Sequence, residues 1–513
     1  MNPSADLCNK ALSNPNVHFA RSQRPCKQPL RGLRTFTPWT PWRPGGTFMT
    51  QKVGLGGIVS YGIGSIAYGI KDNGFSTFLM IYFNQVLGLP AYLVGIALLI
   101  AMLVDAISDP WAGYLSDRCT SRLGRRHPFM YASIVPIAIT YYLLWTPPEA
   151  SEFMLFLYLT FMSVAVRLTL TFFEIPNSAL IGEISHDYDK RTAITGLRLM
   201  FGWLGGVIMA VVVYQVFLPD SVDYDPGILN PEGYTRYAFW ATLVMVVTMF
   251  VSAVGTQRAV KVFSTPDTSS EGYGFRFFKN VGHVFADSSF RSVFLASLCT
   301  NLVSGLAMSL QLYFGIFYFG LSSTQIALVT LTMVPAAIIA YLSTAFVVRG
   351  FEKKSVAVTL SWMALVLSVS LVVGKYFDVL PAPRSPELFY VVAILTFLTT
   401  TVTVLLSAVK FSMTIDLVDA DQIRTGHRAE GLYFAAFSFT RKVVTGLGIF
   451  VSGVMLSLGA QSGRLIDGST MHSIAIPYVV LIAVLYAYSV WVLKGFKLTR
   501  SEHGDNLRAL GKG

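Results

Sequence analysis

From residue 55 to residue 494 one feature recurs: an apolar run of about 20 residues, the length that crosses a roughly 30 Å hydrocarbon core as a helix, closed by Gly, Pro or charge. Read against those breaks, hydrophobic windows begin near residues 57, 90, 128, 152, 193, 236, 290, 323, 355, 386, 430 and 474. The chain is 53% hydrophobic and 13% charged, with mean hydropathy +0.56, whereas soluble domains carry about 25% charged residues. These patterns predict an all-α integral membrane protein of twelve transmembrane helices, with no room for a soluble domain.

Lys and Arg cluster in the loops at 116–127, 256–289, 349–354 and 421–428, while "TPPEASE" and "FLPDSVDYDPGILNPEGY" are acidic or neutral. An even number of spans and the positive-inside rule place both termini in the cytoplasm, in a plasma membrane of bacterial inner type. The net charge of +11 does not indicate nucleic acid, because residues 1–48 hold seven basic residues and one acid, leaving +5 for the rest. Residues 1–54 are expected to be a disordered basic extension without the apolar core of a secretory signal. Met49 opens "MTQKVGLGG" just before the first span, so residues 1–48 are read as a start-site artefact rather than a targeting segment. The cysteines Cys8, Cys26, Cys119 and Cys299 have no metal-like spacing. No cofactor is expected.

The longest interior hydrophilic segment separates spans six and seven. It implies a six-helix half over 55–255, a cytoplasmic connector over 256–289, a second half over 290–494 and a cytoplasmic tail over 495–513. "GYLSDRCTSRLGRRHP" after span two is weakly echoed by "VVRGFEKKSV" after span eight. Two related six-helix halves are the pattern of the major facilitator fold.

Charges inside spans are costly, about 2.5 to 3.5 kcal/mol each at a helix centre, and so point to a cavity and a partner. Asp105 lies about 22 Å into span two at 1.5 Å per residue. Asp109 stacks one turn on, on the same face, with Ser108 adjoining. Two carboxylates so placed suit a monovalent cation, sodium or a shared proton. Asp109 could instead finish the helix and pair with the arginine loop. On span four Arg167, Thr171 and Glu174 share a face, and Glu174 precedes Pro176, whose missing N–H frees a carbonyl. They offer a third carboxylate, or a ladder that locks the helix. Arg198 on span five, and Arg441 and Lys442 on span eleven, are basic groups facing these acids. Lys442 reads as the partner reaching across from the second half. On span one Lys71 and Asp72 are adjacent, so they are expected on different faces serving different neighbours, with Asn73 beside them. Lys410, Asn301, Gln311 and Tyr313 are further cavity candidates.

The stretches "SYGIGS", "FNQVLGL", "DAISDPWAGYLSD", "SRLGRR", "FFEIP", "DKRTAITGLR", "FSMTIDLVD" and "AEGLYFAAFSFTRKVVTGLG", over residues 60 to about 455, resemble the glycoside, pentoside and hexuronide to cation symporters related to melibiose permease. The resemblance implies a cation site of Asp105, Asp109 and Glu174, with Thr171 as a further oxygen ligand and Ser108 where the family can carry Asn. It implies that Arg198 is the family's helix-five arginine, and that Lys442 contacts both the cation-site acids and the substrate. The family's sugar-binding Lys and Asp on helix one fall here on Tyr68 and Gly69, with Lys71 and Asp72 one turn later. Its sugar-stacking Trp is Ser178.

The expected activity is cation-coupled symport of a small solute, a glycoside, by alternating access in a monomer surrounded by the bilayer. Lys71, Asp72, Asn73, Arg167, Glu174, Arg198 and Lys442 are the substrate-binding candidates. Asp117, Arg118, Arg125 and Arg126 would hold one state through ion pairs at the cytoplasmic ends. An alternative is symport of a lysophospholipid or another amphipathic solute. A remote one is a metal-dependent intramembrane prenyltransferase, suggested by the D-x-x-x-D spacing of "DAISD" but lacking a second acid-rich motif.

Overall fold

The computed structural model describes residues 53–185, 187–259, 285, 287–425, 430–460 and 466–509. The expected extension over 1–54 and connector over 256–289 lie mostly outside the described residues. Among the described residues there is no strand. Among them, eleven helices are long and apolar enough to cross a membrane. We number the twelve spans α1 (55–86), α2 (Ala91–Arg118), α3 (His127–Leu144), α4 (Glu152–Ile184), α5 (Lys190–Phe217), α6 (Pro231–Ala259), α7 (Ser288–Tyr318), α8 (Ser323–Gly350), α9 (Lys353–Tyr376), α10 (Pro386–Thr425), α11 (Glu430–Gly459) and α12 (Gly468–Leu493). A short helix, α13 (Arg500–Ala509), follows. The first span is the one that length alone misses, because two wide π turns, Gly74–Phe78 and Tyr82–Val86, divide it.

Three helices start about a turn earlier than the hydropathy windows suggest. Asp187 accepts the Lys190 N–H at 3.1 Å before α5, Asn230 accepts the Glu232 N–H at 3.0 Å before α6, and Asp467 accepts the Thr470 N–H at 2.8 Å before α12. Such side chains satisfy the orphan donors of a first turn, and their polarity is what an apolar window excludes. The Thr470 N–H, with the Ser469 and Thr470 hydroxyls, holds the Asp467 carboxyl down at about 2.

The two halves repeat one packing scheme. In the first, α1 packs on α5 and α6, α2 on α4, and α3 on α4 and α6; in the second, α7 packs on α11 and α12, α8 on α10, and α9 on α10 and α12. The hairpins repeat as well. Both α1 and α7 end in a π turn, Tyr82–Val86 and Phe314–Tyr318, followed by a glycine with positive φ, Gly88 at 76° and Gly320 at 67°. Glycine occupies that backbone region without the steric cost other residues incur.

The halves meet along α2 with α11 and α5 with α8. Close approach of α2 and α11 depends on small residues: a Cβ on Gly453 would stand 2.4 Å from the Ala91 carbonyl oxygen. α13 docks at the end of α10, where His503 Nε2 is 3.4 Å from Asp416 Oδ1 and Lys353 Nζ is 2.6 Å from Asp416 Oδ2. This fixes an α13 side and a far side of the bundle.

Candidate functional site

Midway along the α2–α11 seam, the charged side chains converge. Lys442 Nζ lies 2.5 Å from Asp109 Oδ2 and 3.0 Å from Asp105 Oδ2. Arg167 donates to the same Asp105 oxygen at 3.0 Å, and Thr171 donates to Asp105 Oδ1 at 2.9 Å and approaches Asp109 Oδ1 at 3.4 Å. Two carboxylates from α2 thus share one hydroxyl of α4 and one ammonium of the opposite half. The one-turn spacing of Asp105 and Asp109 makes this possible. Asp105 and Arg167 are each about 4% exposed, so their charges are stabilised by protein partners rather than by water.

Arg167 pairs with Asp105, not Glu174, so α4 carries no internal ladder. Its guanidinium also lies 4.7 Å from the Phe75 ring centre, a cation–π contact with α1. Asp109 pairs with Lys442 rather than with the arginine loop. Glu174 makes no ion pair or hydrogen bond among the described residues, but it lies within electrostatic reach of Lys71, Asp72, Arg198 and Lys442. Among the described residues, no set of three or more His, Cys, Asp and Glu is arranged to hold a metal ion. The Ser108 hydroxyl donates to the Asp105 backbone carbonyl at 3.1 Å, one turn of its own helix away from the shared amine.

Lys71 and Asp72 depart from the expectation that neighbours in sequence serve different partners. Lys71 Nζ is 2.5 Å from Asp72 Oδ1; the four-carbon lysine stem lets the ammonium curl back although the two Cβ atoms diverge. Lys71 is buried, while the Asp72 side chain is 66% exposed within reach of the charges of Arg167 and Arg441. Asn73 packs at the α1–α5 contact, where a Cβ on Gly206 would touch its Cβ at 3.5 Å. Arg198 lies 5.1 Å from the Tyr68 ring centre, and its buried Nε has no hydrogen-bond partner. Ser178 turns its hydroxyl onto the Ile175 carbonyl at 2.8 Å.

A Cβ on Gly69 would lie 1.7 Å from the Gly202 carbonyl oxygen. Position 69 therefore accepts no side chain while the two backbones approach this closely.

The arginine loop forms a second cluster on the α13 side. Arg125 Nη2 and Arg126 Nη1 reach Glu183 Oε1 at 2.9 and 3.0 Å, and Arg126 Nη2 reaches Asp117 at 3.3 Å. Arg126 also donates to the Ala179 carbonyl. Arg118 stays out of this cluster, stacked 4.3 Å over Tyr114. These contacts lie within the first half and tie the α2–α3 loop to the end of α4, so they do not bridge the halves in this state. Glu183, their shared acceptor, is not among the residues that the sequence patterns single out.

Away from the Lys442 site, polar contacts between the halves occur on the far side. Asp220, in the α5–α6 loop, accepts the Ser323 backbone N–H at 2.8 Å and its hydroxyl at 2.7 Å, at the first turn of α8. Arg384 pairs with Asp225 at 3.0 Å, Tyr313 donates to Asn84 at 3.1 Å, and the Tyr92 N–H donates to Ser457 at 3.0 Å. These contacts hold the two halves together at that end. Nothing in the loop "FLPDSVDYDPGIL" distinguishes Asp220 from its acidic neighbours until the fold brings α8 beside it. Lys410 is buried in the second half and bonded to Thr300. Tyr313 is buried on α7, beside the far-side contacts.

Residues 60–500 match the family described as MFS/sugar transport protein. Similar proteins include an uncharacterized symporter of Synechocystis sp. (strain ATCC 27184 / PCC 6803 / Kazusa), 25% identical over 481 residues covering 79% of this chain and 86% of the relative. The isoprimeverose transporter of Lactiplantibacillus pentosus is 23% identical, covering 82% of this chain and 85% of the relative. The sphingosine-1-phosphate transporter MFSD2B of Mus musculus is 24% identical, covering 86% of this chain and 87% of the relative. Among solved structures, an inward-facing bacterial homolog of the human lysosomal transporter Spinster superposes with a TM-score of 0.61 at 13% identity, covering 86% of this chain and 96% of that one. This last likeness concerns the fold alone.

Proposed function

Because the chain belongs to the MFS/sugar transport protein family, and is thus a multi-pass membrane transporter of a small solute, we propose that it couples inward movement of sodium or a proton to that of a glycoside, pentoside or hexuronide. One observation carries this reading: Lys442 of the second half holds both Asp105 and Asp109 of the first. The ammonium occupies the position a monovalent cation would take between those carboxylates. A cation that enters must displace it, and a proton on either acid must weaken it. Both events loosen the tie between the halves.

The acids then remain neutralised by the cation, so the freed Lys442 can turn to the solute. Cation and solute together favour the state that carries both, which is the differential affinity that coupling requires. Thr171 supplies a neutral oxygen to the cation, and Glu174 a third carboxylate once the cleft rearranges. Arg167 keeps the Asp105 carboxyl aligned by its hydrogen bond. Lys71, Asp72 and Arg198 line the same cleft and bind the solute. With the α13 side assigned to the cytoplasm by its basic loops, the far side that holds the halves together is outward and this conformation faces inward. Arg125 and Arg126, held on Glu183 and Asp117, brace the first half as a rigid body. The protein acts as a monomer in the plasma membrane, with its cytoplasmic connector within 256–289.

The lipid alternative is favoured by the relative that carries sphingosine-1-phosphate. Both readings are tested in proteoliposomes of the purified protein, recording sodium and pH inside as glycosides, hexuronides and lysolipids are added outside. A glycoside or hexuronide that drives cation entry in the parent but not in Asp105→Asn supports the symport of sugars. A response to lysolipid alone replaces the solute. Solute equilibration without cation movement refutes the coupling.

A further inference from the structure

The second half shows what α1 would look like if it merely repeated. α7 runs as an unbroken α-helix from Ser288 to Tyr313 before its terminal π turn, whereas α1 carries an additional π turn, Gly74–Phe78, ahead of the one they share. Isolated π turns within α-helices are found frequently at functional sites. This one is held by specific contacts. Ser76 Oγ donates to the Asp72 backbone carbonyl at 2.8 Å. On the other side the Tyr141 and Tyr237 hydroxyls, bonded to each other at 2.6 Å, press on Gly74, where a Cβ would stand 2.7 and 2.8 Å from them.

The additional turn delivers Phe75. Its side chain is buried, and its ring centre lies 4.7 Å from the Arg167 guanidinium. The same guanidinium donates from Nη1 to Asp105 Oδ2 at 3.0 Å, while its buried Nε has no hydrogen-bond partner. Among the described residues, the Phe75 ring and the Asp105 carboxylate are thus the two groups that orient Arg167. The attraction between a ring and a guanidinium is greatest where both are removed from water, as here. One turn before Phe75, the same segment carries Lys71 and Asp72. Because Ser76 is bonded to the Asp72 carbonyl, a displacement of Asp72 is transmitted to the π turn and to the ring.

We propose that Phe75 is a positioning residue that couples the solute to the cation: its ring pins Arg167 on Asp105, and a solute taken by Lys71 and Asp72 draws the π turn, with the ring, off the guanidinium. This rests on the symport reading above. Once Arg167 is held less firmly, Asp105 Oδ2 offers more of its charge to the entering cation. The solute therefore raises the affinity for the cation, and by reciprocity the cation raises the affinity for the solute. The π turn is the element with two arrangements that both sites bias, which coupling between separate sites requires.

The test is cation binding to the purified protein in nanodiscs, read as the change in tryptophan fluorescence on adding sodium at fixed pH and, separately, on lowering the pH. Each titration is run alone and with methyl glucoside, methyl xyloside or methyl glucuronide. Phe75→Leu removes the ring and keeps an apolar side chain. Without sugar it should bind the cation at least threefold more tightly than the parent, because Arg167 is no longer pinned. The glycoside that tightens cation binding at least fivefold in the parent should tighten it less than twofold in Phe75→Leu. Phe75→Tyr, which keeps the ring, should behave as the parent in both respects. A merely structural role for Phe75 predicts the opposite sign, weaker cation binding without sugar. That result, an unchanged affinity, or tightening by the glycoside that survives Phe75→Leu overturns the proposal and leaves symport standing. If the parent binds neither ion, or no glycoside alters its binding, the symport reading fails and the proposal falls with it. Should Phe75→Leu fail to fold, Ser76→Ala, which cuts the π turn from the Asp72 carbonyl, should lose at least half of the tightening by the glycoside, and full retention there overturns the proposal.

Discussion

Lys442 and Asp109 are 333 residues apart in sequence and 2.5 Å apart in space, one on each half of the transporter. Removing one partner of a largely buried ion pair leaves the other charge uncompensated, a cost of about 3 to 5 kcal/mol. Lys442 is about 19% exposed, so solvent screening brings the expected loss towards the lower figure. Lys442→Ala should lower thermal stability in detergent and abolish solute-driven cation entry. Adding Asp109→Asn to it should recover stability without recovering transport. A double variant as unstable as the single would show that Asp109 does not depend on Lys442.

Asp105 accepts from Arg167, Thr171 and Lys442 together. Asp105→Asn preserves shape but removes the charge that two cations share. The expected outcome is loss of cation-coupled accumulation by at least a hundredfold, with solute counterflow down its own gradient retained. Counterflow lost in parallel with coupling would mean that Asp105 supports the fold rather than the cation.

On the far side the magnitudes separate two contacts. The Arg384–Asp225 pair is more than half exposed on both members, and such pairs are worth about 0 to 1 kcal/mol. Asp220 accepts two hydrogen bonds at the first turn of α8 and a third, at 2.8 Å, from Gly227. Bonds to a charged acceptor contribute about 1.5 to 3 kcal/mol each, and the carboxylate also meets the positive end of a helix dipole. Asp220→Ala should therefore speed hydrogen exchange in the first turn of α8 at least tenfold. Arg384→Ala should change it less than threefold. Equal effects would refute Asp220 as the main latch between the halves.

The twelve spans and the acids of α2 are legible in the sequence because both follow from local rules: apolar length for the helices, i to i+4 spacing for the carboxylates. Lys442 as a cross-half partner is legible for the same reason, since an uncompensated lysine in mid-span demands acids elsewhere. What the sequence does not display is which of several like charges meet. Arg167 could have taken Glu174 on its own helix, and only the packing of α4 on α2 directs it to Asp105. The arginine loop shows its donors but not Glu183, and Asp220 is one of several acids in its loop. The ion pair of Lys71 with Asp72 escapes a face-counting argument because lysine is long enough to reverse its direction.

The contact of α1 with α5 offers the sharpest steric test. α1 and α5 touch through glycine on both sides: a Cβ on Gly69 would lie 1.7 Å from the Gly202 carbonyl oxygen, and one on Gly206 would lie 2.6 Å from that of Gly69. Neither obstacle is the end of a flexible side chain that could swing away. An added methyl group must push the two backbones apart, and overpacking costs about 1 to 3 kcal/mol even where side chains can adjust. Gly69→Ala should thus lower the melting temperature by several degrees, and Gly69→Asp, which adds a charge to a buried backbone contact, should prevent accumulation of folded protein. Asp72→Asn, one turn on, should leave the α1–α5 contact closed, although it strands the buried Lys71 ammonium. If Gly69→Asp folds and transports, α1 and α5 do not approach as closely as the geometry requires.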